Sequence, residues 1–156
     1  MNITIVAVGR LKEPHWRDAA AEYIKRLRPY ATVKVAEVPD RDLSHDENAA
    51  VAAEGLDALR ALQSAGRAHA VALDSRGRQL SSEAFAQWLG EQSLNGNSSI
   101  VFFIGGAGGL APDVLARADE RLSLGEMTLP HQLARVVLLE QVYRAFRILR
   151  GEPYHR

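Results

Sequence analysis

Five short runs of strand character alternate with helical stretches along the 156 residues, and that alternation leaves few folds open. "NITIVAV" (2–8) is rich in β-branched residues and reads as a buried first strand. Pro14 then opens a helical pattern, "HWRDAAAEYIKRLRPY", with Trp16, Ala20, Tyr23, Ile24 and Leu27 on one face. "ATVKVAEV" (31–38) alternates as a second strand. The polar stretch "PDRDLSHDEN" leads into a helix carrying Val51, Leu56, Leu59 and Leu62. "AHAVALD" (68–74) is a third strand, and "DSRGR" looks like the turn that closes it. Ser81 or Ser82 caps the helix "SSEAFAQWLGEQ", which ends before "NGN". "SIVFFI" is the fourth strand, "PDVLARA" a short helix with Pro112 in its first turn, and "RLSL" (121–124) a short fifth strand. The pattern predicts one α/β domain over residues 1–156, with a mainly parallel sheet and helices on both faces.

The last element, "PHQLARVVLLEQVYRAFRILRG" (130–151), predicts a long helix with Pro at its start and Gly at its end. Leu133, Val136, Val137, Leu138, Leu139, Val142, Phe146 and Leu149 cover more than the single apolar stripe a surface helix needs. One side is expected on the sheet and the other on a further surface, most simply a second copy of the chain.

In open parallel sheets ligands bind outside the carboxyl ends of the strands. Three places therefore stand out: after Leu73, after Ile104 and after Leu124. The second carries "IGGAGGL" (104–110), four glycines in five positions. No Gly-Lys-Ser/Thr follows, so it is not a phosphate loop. Gly106, Gly108 and Ala111 match a dinucleotide fingerprint, but that motif belongs to the first strand-helix turn of a longer sheet. Two readings stay open: a tight turn with close packing, or a cradle for another nucleoside-like ligand. The five histidines show no metal-ligand spacing, there is no cysteine, and no nucleophile elbow is present. No metal is expected. Asp74 stands alone at a strand end, where a turn or cap role is commoner than catalysis.

Lysine and arginine number 19, as do aspartate and glutamate, so bulk charge does not point to nucleic acid. Its distribution is more telling. Seven acids lie between Glu37 and Asp57 against one base, whereas Arg144, Arg147, Arg150, His155 and Arg156 crowd the C-terminus against Glu152 alone. That end is expected to meet an anionic partner. Glu140 can pair with Arg144 at i,i+4. In "EPYHR", Tyr154 offers a stacking face, Arg156 a phosphate partner, and His155 a group that titrates near neutral pH. His131 falls in the first turn of the last helix, in a structural or a hydrogen-bonding role. No apolar run is long enough to span a membrane and the start does not read as a signal peptide, so a cytoplasmic protein is expected.

Taken together, "VAVGRLKEPHW", "ALDSRG", "LSSE", "FFIGGAGGL" and above all "MTLPHQLARVVLLEQVYRAFRILRGEPYHR" resemble the ribosomal RNA large-subunit methyltransferase H family, of the SPOUT class. The resemblance spans nearly the whole chain. It implies an α/β domain with a deep trefoil knot near the C-terminus, against the general rule that chains are unknotted, and a homodimer. The implied reaction moves a methyl group from S-adenosylmethionine to N3 of pseudouridine 1915 of 23S ribosomal RNA in assembled ribosomes. The implied cofactor contacts fall on Leu73, Gly105, Leu124, Gly125, Glu126, Met127, Thr128 and Leu129, the strand ends already singled out. His155 is the candidate base, Tyr154 the group that orients the uracil, and Arg144 a catalytic partner. Arg144, Arg147, Arg150, Tyr154 and Arg156 are the expected RNA contacts. The competing readings are a non-catalytic, ribosome-associated RNA-binding dimer and a small-molecule enzyme with a nucleotide cofactor.

Overall fold

The computed structural model describes residues 1–154, so His155 and Arg156 lie outside the described residues. Strands β1 (Asn2–Val8), β2 (Thr32–Val38), β3 (His69–Gln79), β4 (Ser99–Ile104) and β5 (Glu120–Ser123) form one parallel sheet in the order β2-β1-β4-β3-β5. Helices α1 (Pro14–Leu27), α2 (Glu47–Ser64), α3 (Ser82–Leu94), α4 (Pro112–Arg117) and α5 (His131–Leu149) alternate with them. Successive strand residues point to opposite faces, which divides the core in two. Ile3, Ile5, Ile100 and Phe102 meet Leu27 of α1, Phe85 and Leu89 of α3, and Leu138, Leu139 and Val142 of α5. Val6, Val8, Val101 and Phe103 point the other way, onto Val51, Ala58 and Leu62 of α2 and Val114 of α4. Helices therefore cover both faces, as the alternation predicts.

Local chemistry sets the boundaries. Asp46 caps α2 by accepting from Ala49 N at 3.0 Å, and Ser81 caps α3 by accepting from Ala84 N at 3.1 Å. Proline opens α1 and α4. α1 stops at Leu27, three residues short of the predicted pattern. Pro29 has no N–H to continue the ladder, and Tyr30 N turns back to Leu27 O.

"DSRGR" is not a turn. β3 runs on through it to Gln79, with a register shift in which both Leu73 and Arg78 face Leu122 of β5. Gly77 makes this passage feasible, because a Cβ there would lie 2.7 Å from the backbone of Arg121 and Leu122. The chain leaves β5 at the sheet edge, and α5 returns to pack on α1, α3 and β4. That return path is compatible with the knot implied by the resemblance.

Candidate functional site

The register shift of β3 and the loops after β4 and β5 converge on one cavity of about 690 Å³. Its walls include Leu73, Asp74 and Ser75 at the register shift within β3, Ile104 to Gly106 at the end of β4, and Ser123 to Gly125 with Met127 to Leu129 at the end of β5. Pro130, His131 and Ala134 close it from the start of α5. All the cofactor positions expected from the sequence line it except Glu126, which is exposed on the same loop. Met127 is 87% exposed and overhangs the rim. Ser123 shapes the third loop. Its hydroxyl accepts from Gly125 N at 3.2 Å and donates to Gly125 O at 3.0 Å, while Gly125 sits at φ +137°.

The glycines of "IGGAGGL" have a reason closer to home than a ligand. A Cβ on Gly105 would lie 2.6–2.8 Å from the backbone of Gly109 and Leu110. One on Gly108 would lie 2.6 Å from Val51, and one on Gly106 would lie 3.0 Å from Val8. Gly109 N donates to Gly106 O at 3.0 Å, which folds the loop onto itself. The glycines thus let the loop pack against its own chain, and its free side presents backbone to the cavity. The tight-turn reading and the cradle reading are two sides of one loop.

Asp74 borders the cavity but is engaged. Arg76 donates to it from Nε, Nη2 and the backbone N, and Arg121 Nη1 lies at 3.7 Å. Burial pushes the carboxyl up, but the Arg76 hydrogen bonds and the two guanidinium charges win and hold it below its ordinary value. It is a carboxylate fixed in an ion pair and no general base.

Arg135, which the sequence reading passed over, locks α5 to the cavity. It is 3% exposed, donates to Glu37 Oε2 at 2.7 Å and to Gly9 O at 2.9 Å, and so ties α5 to the ends of β1 and β2. An arginine two residues past a leucine in an apolar helix carries a detectable signal, since a lone charge on a buried face needs a partner. Glu54 is another buried group missed in the sequence. Its Oε2 accepts from Arg41 N at 2.8 Å and pins the loop before α2.

The C-terminal candidates gather around the far half of α5. Arg144 donates to Glu140 Oε1 from Nε at 3.0 Å and Nη2 at 2.6 Å, and its guanidinium stands 4.8 Å from the Tyr154 ring centroid. The Glu140 hydrogen bond is the main reason that Arg144 holds its proton more firmly than usual. Tyr154 packs edge-on against Tyr143 and donates to Glu140 at 3.4 Å. Burial first, then a hydrogen bond with Tyr23, pushes its phenol up to about 12, so it is neutral at physiological pH. Arg147 pairs with Glu152 at 2.7 Å and donates to Tyr30, and Arg150 lies over the Tyr30 ring at 4.4 Å. The three-residue arginine stripe is therefore fastened to aromatic and acidic side chains of its own chain. His155 and Arg156 are outside the described residues. His131, read as structural or hydrogen-bonding, lines the cavity.

Among the described residues, no group of three or more acidic or histidine side chains is placed to hold a metal ion, and no helix is long and apolar enough to cross a membrane.

A parallel sheet with a cavity built where three adjacent strands leave their regular pairing, two of them at their carboxyl ends, defines an α/β protein that holds a small ligand at that edge. The comparisons narrow this class. A family model described as "Predicted SPOUT methyltransferase" matches residues 1–155. A relative from Symbiobacterium thermophilum, named ribosomal RNA large subunit methyltransferase H, is 48% identical, with 100% of both chains covered. A solved probable methylase family protein from Haemophilus influenzae superposes with a TM-score of 0.59 at 14% identity, covering 99% of this chain and 70% of that one. The methyltransferase AviRb from Streptomyces viridochromogenes, solved in complex with AdoMet, superposes with a TM-score of 0.51 at 14% identity over 97% and 61% of the two chains. The chain belongs to the SPOUT methyltransferase family.

Proposed function

We propose that this protein transfers a methyl group from S-adenosylmethionine to large-subunit ribosomal RNA, at N3 of pseudouridine 1915 of the 23S molecule, working as a homodimer on the ribosome. The observation that carries the reading is the convergence of the β3 register shift and the loops after β4 and β5 on one cavity, together with an aromatic and basic tail at the opposite part of α5.

The residues present fit the cofactor. A cavity of about 690 Å³ is within the ordinary size of small-molecule sites. Leu73, Ile104, Leu110, Leu124 and Leu129 give it apolar walls suited to an adenine and to the methylene groups beside a sulfonium. The backbone of Gly105, Gly106 and Gly125 and the hydroxyls of Ser75 and Thr128 offer hydrogen bonds to a ribose and an amino-acid group. When bound, S-adenosylmethionine supplies an electrophilic methyl carbon on a sulfonium. The chain's own task is to hold the accepting nitrogen in line with it and keep water out, so positioning supplies much of the rate. Arg144, oriented by Glu140, presents charged donors to a uracil carbonyl or a phosphate. Tyr154, neutral, offers a ring face and a hydroxyl to the base. His155 is the proposed acceptor of the N3 proton, because an imidazole titrates near the working pH.

The tail is best supplied by a second copy. From Ala134, the last cavity residue on α5, to Tyr143, against which Tyr154 packs, is about 14 Å of helix rise. Two residues beyond Tyr154 extend at most about 7 Å. Each cavity would then be completed by its partner's tail.

Mixed dimers test this arrangement. Gly105→Val, aimed at the cavity, and Tyr154→Ala, aimed at the tail, should each be inactive alone. Mixed by unfolding and refolding together, they should recover about a quarter of wild-type activity, because half the dimers are mixed and each holds one intact site. No recovery, with mixed dimers demonstrated, would defeat the shared site.

A further inference from the structure

Beside the cavity mouth lies a charge imbalance that the methyl-transfer reading does not use. Arg76 Nη2 and Arg121 Nη1 lie 3.1 and 3.7 Å from the same oxygen of Asp74, so two guanidiniums share one carboxylate. The Asp74 side chain is 9% exposed, whereas those of Arg76 and Arg121 are 72% and 44% exposed. The acid is beneath and the cations are outermost. Arg78, also exposed, adds a third guanidinium with no ion pair among the described residues. Glu120, next to Arg121, offsets one of these charges. Glu120 accepts from Trp88 Nε1 at 2.7 Å, and Glu126 is exposed on the loop after β5.

The fold builds this arrangement deliberately close to the site. The passage of Gly77 against the backbone of Arg121 and Leu122 brings the "SRGR" segment of β3 alongside Arg121 of β5. Asp74 and Ser75, the residues just before the arginines, line the cavity. Like charges held this near one another call for counter-charge, and Asp74 and Glu120 together leave the three guanidiniums with one positive charge in excess, carried on the outermost side chains.

We propose that Arg76, Arg78 and Arg121 form a phosphate-binding rim that seats the sugar-phosphate backbone of the substrate RNA next to the cavity mouth. The proposal rests on the RNA-methyltransferase reading above. The nucleotide to be modified must enter the cavity while its flanking phosphates stay outside, and planar guanidiniums with free donors suit those phosphates. The rim also supplies RNA affinity to a chain whose net charge is zero.

The test is co-sedimentation of the full-length protein with ribosomes from cells lacking the enzyme, across a potassium chloride series, beside methyl transfer to the same particles. Arg78→Gln with Arg121→Gln leaves Arg76 on Asp74 and should preserve the fold, cofactor affinity and kcat at saturating ribosomes. Its ribosome affinity should fall about tenfold or more near physiological salt, with a log–log salt slope shallower by about 1.4–1.8. Asp74→Asn removes the counter-charge and should do the opposite, tightening binding and steepening the slope. Wild-type affinity and slope in both variants would overturn the rim and leave the methyltransferase reading standing. Weaker binding with an unchanged slope would put the arginines against ribosomal protein and overturn it as well. A wild-type protein that binds ribosomes but transfers no methyl would defeat the reading while the binding arms still decide the rim.

Discussion

Replacing Gly105 by alanine adds one methyl group where there is no room for it. The new Cβ would lie 2.6 Å from the carbonyl carbon of Gly109, 2.8 Å from its oxygen and 2.8 Å from Leu110 N. All three are backbone atoms, so no rotamer change relieves the contact. The loop must open by roughly 1 Å to restore van der Waals distance, against a hydrogen bond from Gly109 N to Gly106 O. Overpacking of this kind costs about 1–3 kcal/mol. Gly105, Gly106, Gly109 and Leu110 also wall the cavity, so an opened loop misplaces that wall. If the cost falls on binding, S-adenosylmethionine affinity drops by about 5- to 150-fold. If it falls on the fold, stability drops by the same 1–3 kcal/mol. Calorimetric titration of the cofactor and urea unfolding together capture both. Gly96→Ala is the control: it lies at φ +83° in the turn before β4 with nothing within 4 Å of the added atom. It should lose about 1 kcal/mol of stability from backbone strain and leave cofactor affinity unchanged. A Gly105→Ala protein with wild-type stability and wild-type cofactor affinity would refute the close-packing account of the loop.

Three further outcomes follow from named contacts. Arg135→Ala removes both the Glu37 pair and the bond to Gly9 O; because Glu37 is partly exposed, the loss should be about 2–3 kcal/mol, read by urea unfolding, below the cost of breaking a fully buried pair. Gly77→Ala forces β5 away from the β3 extension and should cost about 1–3 kcal/mol, again by urea unfolding, with amide exchange quickening in Glu120–Ser123. Tyr154, with its folded value raised to about 12 above an unfolded value near 10, contributes stability that is fully present below pH 10 and is lost as pH rises towards 12. Tyr154→Phe should therefore flatten the fall in stability between pH 10 and pH 12, and an identical fall in both proteins would contradict the burial assigned to Tyr154.

The parallel sheet was legible because β-branched runs and 3–4 spacing are local signals, and local signals decided every element here but one. "DSRGR" has turn composition, yet it continues β3 because Gly77 can press against Arg121 and Leu122, a tertiary fit that no window of residues displays. The cavity was legible for a topological reason: carboxyl ends of adjacent parallel strands must face the same way. The purpose of the glycines was not, since Gly105, Gly106 and Gly108 are explained by Leu110, Val8 and Val51, which only the fold brings near. Arg135 stands out as a lone charge on an apolar face, but its partners, Glu37 and Gly9, are met only in space. Among the C-terminal arginines the sequence offers a partner only for Arg144, Glu140 at i,i+4, and the structure forms that pair; Tyr30, Glu152 and Tyr154 meet the stripe only in space. That meeting changes their meaning, because a guanidinium already held by a carboxylate is an oriented group with few donors left, whereas Arg78 has no ion pair among the described residues and Arg121 shares Asp74 with Arg76.

The most direct test of the central claim uses ribosomes from cells lacking this enzyme, incubated with the purified protein and S-adenosylmethionine carrying a labelled methyl group. The account predicts label in large-subunit ribosomal RNA, mapped to N3 of one pseudouridine and absent from a naked RNA hairpin. Cofactor binding without label in any ribosomal RNA would contradict it.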